Sequence, residues 1–151
     1  MFAESVKCMK TKFLRLSLML LVSAVFTANA TAKSRSASFD WTNVMEAIIQ
    51  VESEGDPQAV SGNSVGVLQI TPVLVKDCNQ ILKKAKSNKR YTLADRYSVD
   101  KSKEMFLLIQ SHYNPQNNVE HAIRLWNGGV KYSARATNSY FKKVMRHLKQ
   151  K

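Results

Sequence analysis

Glu52 is the residue whose type and placement most readily support chemistry. It stands seven residues after Met45 and follows Ile48 and Ile49, so it carries the apolar stripe of a helix into the last turn. A carboxyl group aimed at the core side loses hydration, which disfavours its charged form. The negative partial charge at a helix C-terminus acts in the same direction. Both effects raise the pKa towards the range in which a carboxyl serves as a general acid at neutral pH. The same stripe would also accommodate an acid that reaches out to solvent or pairs with one of the 23 Lys and Arg residues. Glu54 and Asp56 lie close in sequence but beyond the helix end, where their direction is unconstrained, and Asp56 before Pro57 is turn chemistry.

The helix that must hold Glu52 is expected to start at a cap on Asp40 or Thr42, to run to about Ser53 and to be stopped by Gly55-Asp56-Pro57. Residues 58–66 read as a loop or an irregular pair of turns, and Val67 to Ile70 as a brief apolar run that is either a helix turn or a small strand. Pro72 opens a helix from Val73 to Leu82, followed by a solvated Lys-rich stretch from Lys83 to Arg90. After Asp100 a largely buried helix is expected, with Met105, Leu108, Ile109 and His112 on one face and Phe106 and Tyr113 widening it. Another runs from about Asn118 to Trp126 and is closed by Asn127-Gly128-Gly129. The last starts near Asn138 and turns Phe141, Val144, Met145 and Leu148 inward, with Lys142, Lys143, Arg146 and Lys149 outward. The fold class is therefore mainly α, with little or no sheet.

Four segments in order carry a resemblance. Val51-Glu52-Ser53 with Asp56-Pro57, Gly66-Val67-Leu68-Gln69-Ile70-Thr71-Pro72, Leu125-Trp126-Asn127-Gly128-Gly129, and Thr137-Asn138-Ser139-Tyr140-Phe141-Lys142-Lys143-Val144 together resemble the lytic transglycosylase (SLT-type) family of the lysozyme-like fold. That resemblance implies a goose-type/SLT helical domain over 39–151 that cleaves the glycan strands of peptidoglycan without a cofactor. It makes Glu52 the catalytic acid/base, Ser53 a polar neighbour orienting the substrate, Gln69 a cleft-lining amide, Asn127 an asparagine near the acid, and Tyr140 a tyrosine whose hydroxyl approaches the same site. Trp126, in place of the family's usual Tyr, would pack under the site or form its wall. Each residue has a plainer reading: Ser53 capping a turn, Gln69 satisfying loop backbone, Asn127 ending its helix in a left-handed conformation, and Tyr140 as core. Gly128 replaces the usual Ala and Val67-Leu68 the usual Leu-Met, while Lys76 to Ser98 follows no family pattern, which leaves cleft width and substrate register open.

Lys7, Lys10, Lys12 and Arg15, the apolar run Leu16 to Phe26 and Ala28-Asn29-Ala30 read as a signal peptide over 1–30, with a flexible Ser/Ala/Lys/Arg linker over 31–38. The apolar run is shorter than the roughly 20 residues of a membrane helix, so no stable span is expected. The implied location is the periplasm or cell envelope. The formal charge is +12; the segment 1–30 carries four basic residues and one acidic, so +9 remains without it. Such a balance fits either simple solubility or a polyanionic partner, which for an exported chain means envelope polymers and not nucleic acid. Cys78 would then be the lone cysteine, so no internal disulfide is expected and packing must hold the core; the protein is expected to be a monomer. His112, His121 and His147 show no metal-ligand spacing, and no metal is expected. The alternatives are a hydrolytic muramidase on the same fold and a non-enzymatic peptidoglycan-binding accessory.

Overall fold

The computed structural model describes residues 39–150. The signal-peptide and linker expectations, over 1–30 and 31–38, lie outside the described residues. Five α-helices and one minimal hairpin make up the described part, in keeping with the mainly helical, lysozyme-like class.

Helix α1, Thr42–Ser53, buries Val44, Met45, Ala47, Ile48 and Ile49. Neither of the two residues expected as the cap occupies it: Trp41 stands there without a side-chain cap bond, and Asp40, one residue earlier, accepts from the Thr42 amide at 2.9 Å. The helix ends at Ser53, as expected, where Glu54 takes the left-handed conformation at φ 55° and Gly55 follows at φ 90°. The expected loop over 58–66 is a hairpin with two-residue strands, β1 (Val60–Ser61) and β2 (Ser64–Val65), turned at Gly62 and Asn63. Val67 to Ile70 is neither a helix turn nor a strand of its own. It is a tight loop in which the Gln69 amide donates to Gly66 O at 3.0 Å while Val65 and Ile70 bridge across its ends.

Helix α2, Pro72–Lys84, starts with Pro at its first position and with Thr71 Oγ1 accepting from the Leu74 amide, and it ends in Lys83 and Lys84. The Lys-rich stretch beyond it is solvent-exposed but anchored: Asn79 holds both the amide and the carbonyl of buried Tyr91, each at 2.8 Å. A 3-10 helix, η1 (Ala94–Tyr97), leads into α3, Val99–Tyr113, whose Ser98 cap accepts from Lys101 N. The inward face of α3 differs from the expected one. Ser102, Met105, Phe106, Ile109 and Gln110 are buried, Leu108 is half-buried and His112 is exposed. The stripe is centred on Phe106, and polar residues share it: Ser102 Oγ donates to Arg96 O at 3.0 Å, and Gln110 Oε1 accepts from Asn114 at 3.1 Å while its Nε2 has no partner among the described residues.

Helix α4, Val119–Gly128, is capped by Asn118 and buries Ala122, Ile123, Arg124 and Leu125. It ends two residues later than expected: Asn127 lies in its last turn, and Gly129, at φ 72°, takes the positive-φ position. Helix α5, Asn138–Lys149, packs along α1 and α4, with Val144 fully buried and Tyr140, Phe141, Met145 and Leu148 half-buried against the core. Phe106 packs edge-on against Trp41 and tilted against Trp126 at ring-centroid distances of 5.9 and 5.1 Å, so one aromatic ring joins α3, the start of α1 and α4.

Candidate active site

Glu52 sits in the last turn of α1 where α5 crosses it, and the Tyr140 hydroxyl donates a 2.6 Å hydrogen bond to its Oε1. Burial pushes the Glu52 carboxyl above its ordinary range, and the Tyr140 bond opposes this without cancelling it. Burial pushes the Tyr140 phenol up as well, with the Glu52 charge and the shared bond adding to the shift, so the phenol remains a donor throughout the neutral range. With Oε1 held as acceptor by a permanent donor, a neutral Glu52 carries its proton on Oε2. The pair thus presents one oxygen fixed by the protein and one acidic O–H.

Ser53 holds the end of α1 against the next segment. Its hydroxyl donates to Val67 O at 2.8 Å and accepts from the Gly55 amide at 3.2 Å. That oxygen is committed to backbone, so Ser53 positions its neighbours and shows no free hydroxyl for a ligand. Gln69 holds a left-handed φ of 48°, with Nε2 donating to Gly66 O at 2.9 Å and Ala59 O at 3.2 Å. The amide nitrogen satisfies loop carbonyls, while Oε1 makes no hydrogen bond among the described residues and remains an acceptor for an incoming donor. Trp126 Nε1 donates to Leu68 O at 3.2 Å, which ties α4 to the residue just before Gln69. Asn127 is exposed and lines a groove of about 380 Å³ with Thr71, Leu74, Tyr113, Trp126 and Val130.

The structure therefore joins Glu52 directly to Tyr140, and Trp126 to the Gln69 loop. No hydrogen bond links Asn127 or Gln69 to Glu52 among the described residues, and Glu52 is not part of the wall that Asn127 lines. A larger cavity of about 540 Å³, bounded by Tyr113, Asn118, His121, Arg124 and Tyr132, contains none of the site residues expected from the sequence. Glu54 is exposed, and Asp56 Oδ1 accepts from the Gln58 amide at 2.8 Å, which leaves Glu52 as the acid of this site. Among the described residues no three His, Cys, Asp or Glu side chains gather as a metal site would require.

Arg96 is a structural partner that the sequence did not disclose. From η1 its Nη1 donates to Asn63 O at 3.0 Å and Ile70 O at 3.2 Å, which brackets the hairpin and the Gln69 loop. Its own carbonyl sits against Gly66, where no side chain could fit. All of these contacts fall on backbone carbonyls, which every residue has, so no pairing of side-chain types could have signalled them.

The family model described as Transglycosylase SLT domain matches residues 29–143. The chain belongs to this family, that of lysozyme-like peptidoglycan transglycosylases. No match is found among curated proteins or among solved structures.

Proposed function

We propose that the chain is a peptidoglycan lytic transglycosylase that cleaves the β-1,4 bond between N-acetylmuramic acid and N-acetylglucosamine and leaves a 1,6-anhydro end. The observation that carries this reading is the desolvated Glu52 carboxyl held by the Tyr140 hydroxyl, with no second carboxylate bonded to it or shifting it among the described residues. Glycosidases of the usual kind need two carboxyls. A site with one suits a reaction in which the substrate supplies the second function.

Glu52 Oε2–H protonates the glycosidic oxygen, which departs as the 4-hydroxyl of N-acetylglucosamine, while the muramic acetamido oxygen bonds to the anomeric carbon. The Glu52 carboxylate then takes the proton of the C6 hydroxyl. O6 closes on the anomeric carbon and expels the acetamido oxygen, and Glu52 is again neutral with no water consumed. Tyr140 stabilises the carboxylate between the two steps. In this reading Gln69 Oε1 and Asn127 accept or donate to hydroxyl and amide groups of the strand, and Trp126 supplies apolar wall.

Mass analysis of the new ends of digested sacculi tests the reaction. Anhydro ends are expected, and hydrated muramic ends would instead make the protein a hydrolytic muramidase. Binding to sacculi without release of soluble fragments would make it a peptidoglycan-binding accessory. The proposed setting is the periplasm or envelope, reached through cleavage of residues 1–30, with the protein acting as a monomer. No helix among the described residues is long and apolar enough to cross a membrane.

Tyr140→Phe separates the two roles of the hydroxyl. Loss of a hydrogen bond to a charged group costs about 1.5–3 kcal/mol, so turnover should fall about tenfold or more. Because that bond lowers the Glu52 pKa, its removal lets the pKa rise further. The first step needs protonated Glu52, so activity declines as pH rises through that pKa. The alkaline limb of the pH–rate profile should therefore lie at higher pH in the variant. A limb displaced to lower pH would show that the hydroxyl does not act through this carboxyl.

A further inference from the structure

We propose that the outer face of α5 is a docking surface for the carboxylates of the peptide stems borne by the substrate strand, an inference that rests on the peptidoglycan reading above. From His121 to Lys151 the sequence holds eight Lys and Arg residues and no Asp or Glu. Successive residues of a helix turn by about 100°. Lys142, Arg146 and Lys149 therefore fall opposite buried Val144, and Lys143 falls between them and Tyr140. All four cations are exposed, and none makes an ion pair among the described residues.

The acids on the helices packed against α5 are turned to other partners. Glu46 pairs with Lys103 at 3.0 Å, Glu120 with Arg124 at 2.7 Å, and Glu52 holds Tyr140. Glu54, just past the end of α1, is exposed and makes no ion pair among the described residues. Lys142, Arg146 and Lys149, with Ser139 and Met145, line a concavity of about 490 Å³ on this face. The positive stripe thus starts at Lys143, three residues on from Tyr140, and passes round α5 to the concavity of Lys142, Arg146 and Lys149, which lies on the side of the helix turned away from the Glu52–Tyr140 pair. A glycan strand seated at Glu52 carries its peptide stems at intervals on either side of the cleaved bond, and their free carboxylates complement that stripe.

An anionic bilayer fits the same charge less well. A helix that lies on a membrane turns large apolar side chains towards the lipid. Here Phe141, Val144 and Leu148 face the core, and no large apolar residue of α5 is among the exposed ones.

The test compares wild type with a Lys142→Gln, Arg146→Gln, Lys149→Gln triple variant on intact sacculi and on glycan strands stripped of peptide by an amidase. On peptide-bearing strands the variant should lose about tenfold in kcat/KM, through KM, since several exposed ion pairs of up to about 1 kcal/mol each are removed. On stripped strands the two proteins should be equal. High salt should erase the wild-type preference for peptide-bearing strands. Equal rates on both substrates, or an equal loss on both, would overturn the proposal. So would unchanged cleavage of sacculi together with lost binding to phosphatidylglycerol vesicles, which would assign the stripe to lipid.

Co-sedimentation of the Glu52→Gln protein, with and without the three changes, reads docking independently of turnover. Were wild type to cleave neither substrate, the proposed reaction would fail. The docking proposal would still stand or fall on whether the three changes release the protein from intact sacculi and not from stripped strands.

Discussion

Glu52→Gln should abolish release of soluble glycan fragments, with turnover reduced by about 10³-fold or more, while the protein becomes more resistant to heat at neutral pH. The first effect follows from removal of the group that both donates and later accepts a proton, since a positioned acid or base contributes about 10²–10⁴-fold. Gln preserves the shape of the side chain and an oxygen to accept from Tyr140. The loss of activity is therefore a loss of proton transfer and not of packing.

The second effect has a definite sign. The folded-state pKa of Glu52 is raised by burial above its unfolded value, which lies near 4.3 for a free glutamate. Below the unfolded value both states are protonated and the wild type bears no penalty. As pH rises through the folded pKa, the native state must hold a desolvated charge, and stability is lost. The thermal midpoint of Glu52→Gln should equal that of wild type in acid and exceed it increasingly towards neutral pH. A variant that melts lower than wild type at neutral pH would mean that the carboxylate stabilises the fold.

Gly66→Ala should be among the most damaging single substitutions for the fold. Gly66 is buried at φ 77°, a conformation that costs a residue with a Cβ about 1–2 kcal/mol. The added Cβ would collide with the Arg96 carbonyl oxygen, which Ser102 Oγ of α3 holds in place. Overpacking of this kind adds about 1–3 kcal/mol. The combined loss of about 2–5 kcal/mol corresponds to a fall of about 10 °C or more in thermal midpoint for a domain of this size. Relief of the clash by movement would carry Gln69 with it, because the Gln69 amide and side chain both donate to Gly66 O. Strand affinity should therefore fall even where the protein remains folded. A midpoint within about 2 °C of wild type would show that η1 gives way easily.

Much of this arrangement was legible in the sequence, and what was not has identifiable physical causes. The α1 stripe that ends on Glu52 and the α5 stripe around Val144 follow from apolar spacing alone, because both helices bury one face and solvate the other. Glu52 and Tyr140 are 88 residues apart, and only the family pattern brought them together in advance of their 2.6 Å bond. The face of α3 differs from the expected one because Ser102 is buried through a hydrogen bond and Gln110 shares one with Asn114, whereas helical spacing from Met105 points to Leu108 and His112 instead.

The end of α4 was misplaced because Asn127 and the two glycines after it can each terminate a helix, and tertiary packing selects Gly129. The segment Lys76 to Ser98, which matched no family pattern, proves to hold the Asn79–Tyr91 tie and the Arg96 clamp. Both act on main-chain groups, so their partners leave no trace in the sequence.

The claim on which the chemistry depends is that Glu52 keeps its proton at a pH where ordinary glutamates have lost theirs. A carbon-13 NMR titration of the glutamate side-chain carboxyls, with the Glu52 resonance assigned by its absence in Glu52→Gln, measures this directly. A midpoint above the free-glutamate value of about 4.3, rising further in Tyr140→Phe, is the expected result. A midpoint at or below that value, unmoved by loss of the Tyr140 hydroxyl, would contradict the role of Glu52 as a general acid.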